Sequence, residues 1–146
     1  YSVAQHSLLV EEIFCLINPK SNAKWKMAAL LHDAAEYVIG DLISPVKNHI
    51  GPAYLTLEER LTSVINIRFS LPGKLPNHVR RKIKGADKHS AWGEAVRIAG
   101  FSEMEANKLF GVPKIETFNK IKIIPKSPLK AKDLFMKKHA ELLRSL

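Results

Sequence analysis

Apolar residues return at steps of three and four along most of the chain, a period that predicts helices rather than strands. Val3, Leu9, Val10, Ile13, Leu16 and Ile17 form the first series, so a helix is expected from Tyr1 to Asn18, stopped by Pro19. Ser21 or Asn22 can cap a second helix, with Met27, Ala28, Leu30, Leu31, Ala34, Ala35 and Val38 on its apolar side, running to about Ile39 before Gly40. Pro45 then predicts a turn or an extended segment. A third helix is expected from about Gly51 and Pro52, its apolar side formed by Leu55, Leu57, Leu61, Val64, Ile65 and Ile67, and Ser70 to Asn77 reads as a breaker. Asn77 is the expected cap of a fourth helix over about His78 to Ala99, closed by Gly100, with Gly85 and Gly93 weighing against its continuity.

Ser102 and Glu105 have the spacing of a capping box for a short helix ending at Gly111. From Val112 to Lys126 no period stands out. Ser127 followed by Pro128 predicts the start of a last helix through Leu143. The fold class expected is therefore all-α, a single-domain helical bundle over residues 1–146 with a C-terminal helix in 127–146, and no internal repeat is visible.

Composition narrows the setting more than the chemistry. A chain of 146 residues can bury a core as one domain, and 46% hydrophobic with 25% charged residues matches an ordinary globular protein. No apolar run has the length of a membrane span, so no membrane partner is expected. The single cysteine, Cys15, cannot form an internal disulfide and fits a reducing, cytoplasmic setting, where a small core residue is its expected role. The chain opens at Tyr1 without an initiator methionine, and its natural start is expected upstream. The formal charge of +9 suits either a polyanion or a small phosphorylated substrate. Much of it falls in the last third, at Lys114, Lys120, Lys122, Lys126, Lys130, Lys132, Lys137, Lys138 and Arg144, without interleaved aromatic residues. A solvated face and no specific nucleic-acid partner are expected. A homodimer is left open.

One stretch departs from the bland pattern. Leu30 to Asp41 reads LLHDAAEYVIGD and sets His32, Asp33, Glu36 and Asp41 in apolar context. On a continuous helix His32 and Glu36 stack one turn apart, with Asp33 close to both. Burying such groups unpaired costs roughly 2–7 kcal/mol for a neutral polar group and more for a charge, and a bound cation is the simplest compensation. His6, Asp87 and His89 also sit in apolar helical surroundings. A single histidine of this kind is ordinarily a hydrogen-bonded core residue.

Taken together, His6, His32-Asp33 and Asp87 form an H...HD...D order that resembles the HD-superfamily metal-dependent phosphohydrolases. HDAAEYVIGDLISPVK further resembles the corresponding segment of the bacterial 5'-deoxynucleotidases of the YfbR-like group, and YSVAQHS resembles their opening. The resemblance implies that His6, His32, Asp33 and Asp87 bind one divalent cation and that Glu36 and Asp41 handle the attacking water. It also implies hydrolysis of (deoxy)nucleoside 5'-monophosphates, a small-molecule nucleotide being the expected partner. The group also carries an Arg-Trp pair upstream of the first helix that helps hold the substrate, and this sequence begins after that position. Another phosphoester, such as a nucleotide pyrophosphate or cyclic nucleotide, and a non-catalytic nucleotide- or nucleic-acid-binding module are the rival readings.

Two imidazoles with two carboxylates suit manganese, cobalt, iron or zinc better than calcium or magnesium. For Glu36 the alternative is an exposed carboxylate paired with a lysine, and for Asp41 a cap or turn residue. Lys47 is a candidate phosphate contact, with simple exposure as its alternative. His89 is expected near the site's periphery or at the surface, Trp25 and Trp92 in the core, and Arg80, Arg81 and Lys84 on a solvated face.

Overall fold

A computed structural model describes residues 1–113 and 121–146, apart from the side chains of Ser44 and Asn48. The expectations placed on 114–120, Lys114 and Lys120 among them, lie outside the described residues. Within those described, the chain is all-helical: α1 (Val3–Ile17), α2 (Ala23–Leu30), α3 (Glu36–Ile39), α4 (Ser44–Ile50), α5 (Pro52–Arg68), α6 (Asn77–Arg97), α7 (Glu103–Phe110) and α8 (Pro128–Leu143). The all-α class expected from the period is the class observed.

α1 is the central helix, packed against α2, α6 and α8. Its buried positions, Leu9, Val10, Ile13 and Phe14 among them, cover a wide arc, as a helix covered on three sides requires. They meet Met27 to Leu30 of α2 and Val79, Ile83 and Ala86 of α6 in one continuous core. Ser2, Asn22, Ser102 and Ser127 cap α1, α2, α7 and α8 through their side chains, and Ser102 with Glu105 completes the expected capping box. Gly111, at φ 80°, closes α7 in a backbone region that a side chain disfavours. Trp92 is buried and donates Nε1–H to Asn107 Oδ1 at 2.8 Å, and Arg80, Arg81 and Lys84 are exposed. No helix among the described residues is long and apolar enough to cross a membrane.

Four expectations need correction. The second helix does not run to Ile39: it ends at Leu30, and residues 31–35 form turns before the four-residue α3. Here backbone bonds reach back three residues, Ala34 to Leu31 and Glu36 to Asp33, both at 3.0 Å. Ala29 O is shared by the His32 amide at 3.5 Å and the His32 ring Nδ1 at 3.0 Å, so a side chain competes for the helical acceptor where the helix stops. Pro45 does not give a turn or extended segment; it occupies the first turn of α4, where its missing N–H costs no bond. Asn77 is the first residue of α6 rather than its cap, a place taken by Pro76 without a side-chain bond, and α6 runs unbroken through Gly85 and Gly93.

The supposed apolar side of α5 is largely open to solvent. Leu55, Leu57, Val64 and Ile67 are exposed, and Asn66 is the buried residue of that helix. Asn66 holds the following loop by donating Nδ2–H to Gly73 O at 3.4 Å, while α5 otherwise packs chiefly on α4. The period of α5 marks it as helical, but the direction in which it packs is not a property of period.

Candidate metal centre

Three elements bring the polar groups together. His6 comes from the first half of α1, His32 and Asp33 from the turn after α2, and Asp87 from the middle of α6. His6 Nε2 lies 3.4 Å from Asp33 Oδ2 and 3.4 Å from Asp87 Oδ1, and His32 Nε2 lies 3.1 Å from Asp33 Oδ2. The two imidazole centroids are 5.3 Å apart. His6, His32 and Asp87 each offer a ligand atom within 4.8 Å of the others, and Asp33 lies against both imidazoles beside that group. The histidine side chains are 16% and 11% exposed, whereas Asp33 and Asp87 are 30% and 39% exposed. The carboxylates thus form the open side of the cluster.

The hydrogen bonds behind the imidazoles decide which nitrogen faces the cluster. A carbonyl can only accept, so His32 Nδ1 at 3.0 Å from Ala29 O carries the proton and Nε2 is left with its lone pair. That Nε2 is buried and makes no hydrogen bond to the protein. His6 Nδ1 likewise donates to Glu94 Oε1 at 2.8 Å, turning its Nε2 toward Asp33 and Asp87. Histidines that bind metals are held in this way, by an acceptor on the nitrogen away from the ion.

The electrostatics favour a cation at the same place. Burial pushes the His6 pKa down, but its bonds with Asp33, Asp87 and Glu94 outweigh burial and lift it to about 12. Asp33 goes the other way: burial raises it, and the stronger pull of His32 and His6 holds it well below the usual carboxylate range. A cluster with this excess of carboxylate binds a positive charge, either a proton on the imidazole or a metal ion in its stead. The orphaned Nε2 of His32 and the mixed nitrogen and oxygen donors fit a divalent transition metal.

Glu36 does not stack on His32 as a continuous helix would place it. With three-residue turns, Asp33 rather than His32 is the residue eclipsed with it. Its side chain is 9% exposed and accepts from Lys47 Nζ at 3.2 Å, while Lys47 also donates to Glu58 Oε1 at 2.6 Å. Burial is the main cause of a raised Glu36 pKa, with repulsion from Asp33 and Asp41 adding to it and Lys47 opposing. Lys47, in turn, is held well above the ordinary lysine range because Glu58 and Glu36 outweigh its burial. Glu36 is thus paired with a lysine, as its alternative reading held, but half-buried rather than exposed. Asp41 is exposed beyond Gly40, and the N-cap position of α4 belongs to Ile43.

Glu94 and Glu58 were not picked out from sequence. Glu94 had a signal, since Asp87, Ser90 and Glu94 fall at three- and seven-residue steps on one face of α6, and Ser90 Oγ lies 3.5 Å from His6 Nδ1. Glu58 had none, because its partner Lys47 belongs to another helix. His89 is half-buried on α6 and is not one of the three clustered ligand groups.

Comparison with known proteins returns the family described as HD domain, matched over residues 3–92, more than half of the chain. A Rhodobacter capsulatus relative called uncharacterized protein RCAP_rcc00048 is 50% identical over 146 residues, covering all of this chain and 74% of its own. Uncharacterized protein YfdR of Escherichia coli is 30% identical over 152 residues, covering 97% of this chain and 71% of its own.

Proposed function

The chain belongs to the HD domain family, and we propose that it is a metal-dependent phosphohydrolase that converts (deoxy)nucleoside 5'-monophosphates to nucleosides and phosphate. The observation that carries the reading is the pair of inward-facing Nε2 atoms, each fixed by an acceptor behind it and each beside a carboxylate. His6, His32, Asp33 and Asp87 would hold the ion. When bound, a divalent metal lowers the pKa of a coordinated water and offsets the charge of a phosphoryl group.

The remaining work falls to the chain's own groups. Glu36, half-buried and with its proton affinity raised, is suited to take the proton of the attacking water, since a base works best when its pKa approaches the working pH. Asp41 adds negative charge on the open side and raises that affinity further. Lys47 holds the Glu36 carboxylate in place, and it meets a phosphate only by loosening one of its two carboxylate bonds. The 5'-monophosphate as substrate rests on the resemblance of HDAAEYVIGDLISPVK to the 5'-deoxynucleotidase group.

The test is phosphate release from stripped protein reloaded with manganese, cobalt or magnesium. The panel holds deoxy- and ribonucleoside 5'-monophosphates, 3'-monophosphates, cyclic nucleotides and nucleoside triphosphates. Release from 5'-monophosphates with a transition metal is expected. Hydrolysis confined to cyclic nucleotides or triphosphates would replace the substrate, and no hydrolysis with any ion would remove the activity.

A further inference from the structure

Consecutive residues of α1 serve two different places. His6 enters the metal cluster, while Gln5 faces a cavity of about 290 Å³ between α1, α8 and the stretch 121–126. Lys122, Lys126, Lys137 and Lys138 stand around this cavity, and Leu8, Leu9, Ile123 and Leu134 form an apolar lining. From sequence alone these lysines read as a solvated face. The structure instead gathers four of them at one concave site.

The rim is built rather than incidental. Gln5 is buried, donates Nε2–H to Ile124 O at 2.6 Å and accepts from the Lys126 amide at 2.9 Å. Both ends of one buried amide therefore pin a stretch without helical bonds of its own, and the pinned stretch carries Lys122 and Lys126 opposite Lys137 and Lys138 of α8. Lys138 has carboxylate partners, Glu11 at 3.8 Å and Glu141 at 4.0 Å. Among the described residues no carboxylate is within ion-pair distance of Lys122, Lys126 or Lys137. Glu12 and Glu141 also line the cavity, so the four lysines leave it with a positive excess. Like charges held around one concavity repel each other, and an anion that enters relieves the repulsion.

We propose that this cavity is a second ligand site, separate from the metal centre, which takes a phosphorylated small molecule. Its phosphates lie among Lys122, Lys126 and Lys137, and its less polar part covers Leu8 and Leu134. The volume lies at the lower edge of small-molecule sites, about 300–1,000 Å³, which suits a small phosphate ester. The inference does not depend on the catalytic reading, because it uses none of the metal-centre residues.

The test is calorimetric titration of metal-stripped protein with inorganic tripolyphosphate and with a nucleoside triphosphate, without added divalent ions. Binding of both, tighter for the nucleotide, is expected. It should persist in Asp33→Ala and weaken at least tenfold in the Lys122→Ala/Lys137→Ala double variant. Lys130→Ala/Lys132→Ala removes the same charge away from the cavity and should leave binding within twofold. The proposal is overturned by absence of binding, by binding lost in Asp33→Ala, or by equal weakening in the two lysine pairs, which marks a diffuse field. Binding of tripolyphosphate alone keeps the anion site but removes the apolar subsite. Melting curves of the double variants show that the fold is retained.

Discussion

Glu94 is not one of the proposed ligands, and yet it should set the metal affinity. Its Oε1 accepts from His6 Nδ1 at 2.8 Å, the bond that points Nε2 at Asp33 and Asp87. Acceptors behind metal-bound histidines are worth about 10–100-fold in affinity, or roughly 1.4–2.8 kcal/mol, which agrees with about 1.5–3 kcal/mol for a hydrogen bond to a charged group. Glu94 and His6 are 22% and 16% exposed, so solvent screens the pair only in part.

In Glu94→Gln an amide oxygen still accepts from Nδ1–H, and only the charge assistance is lost. Charge-assisted bonds are about twice as strong as neutral ones, so the loss is roughly half, about 1 kcal/mol or fivefold to tenfold. Glu94→Ala removes the acceptor altogether, leaving Ser90 Oγ at 3.5 Å as a poor substitute, and should lose up to about a hundredfold. Manganese and cobalt affinities measured in competition with a chromophoric chelator give the comparison. Melting temperatures of the metal-free variants control for the part of Glu94 that faces Tyr1. The graded order, parent above Gln above Ala, is the signature. Affinities within twofold of the parent in both variants would refute the role assigned to Glu94.

Three further outcomes are expected. Asp33→Ala should lose the metal, checked by elemental analysis after dialysis, and a stoichiometric ion in that variant would show that Asp33 is no ligand. Glu36→Ala should keep its metal and still bind a nucleoside monophosphate but turn it over at least about a hundredfold more slowly; near-normal turnover or loss of the ion would each count against a general base. In the metal-free protein the raised His6 pKa stabilises the fold fully below its ordinary value of 6.5, and this contribution is lost as pH rises toward about 12. The depressed Asp33 pKa stabilises above its ordinary 3.8 and is lost as pH falls below it. A metal ion held at His6 would displace that proton, so the rise in Tm produced by manganese should grow from pH 5 to pH 8. A rise that is constant or largest at pH 5 would contradict that exchange.

What the sequence revealed and what it hid follow one physical division. Short-range chemistry was legible. The caps at Ser102 and Ser127, the stop at Pro19 and the helical period of every long element depend on residues within a turn of one another. The convergence of His6, His32, Asp33 and Asp87 was also legible, because polar groups within apolar helical runs need compensation wherever the helices go. Packing direction was not: α5 has the same period as the core helices, yet it turns Leu57, Val64 and Ile67 to solvent.

The break at His32 was hidden for a more instructive reason. LLHDAAEYVIG has the period of a continuous helix, and no proline or glycine interrupts it before Gly40. What ends the helix locally is the His32 ring taking the Ala29 carbonyl that a further helical turn would use. That bond is also the one that fixes the His32 tautomer and leaves Nε2 bare toward His6 and Asp33. The irregular backbone and the available lone pair thus have one cause. On a regular helix Glu36 would stand in line with His32. The shift to three-residue turns brings Glu36 under Asp33 and within reach of Lys47, where burial and a neighbouring carboxylate raise its proton affinity. The local departure from helical geometry therefore takes Glu36 out of line with His32, where a straight helix would have stacked the two one turn apart.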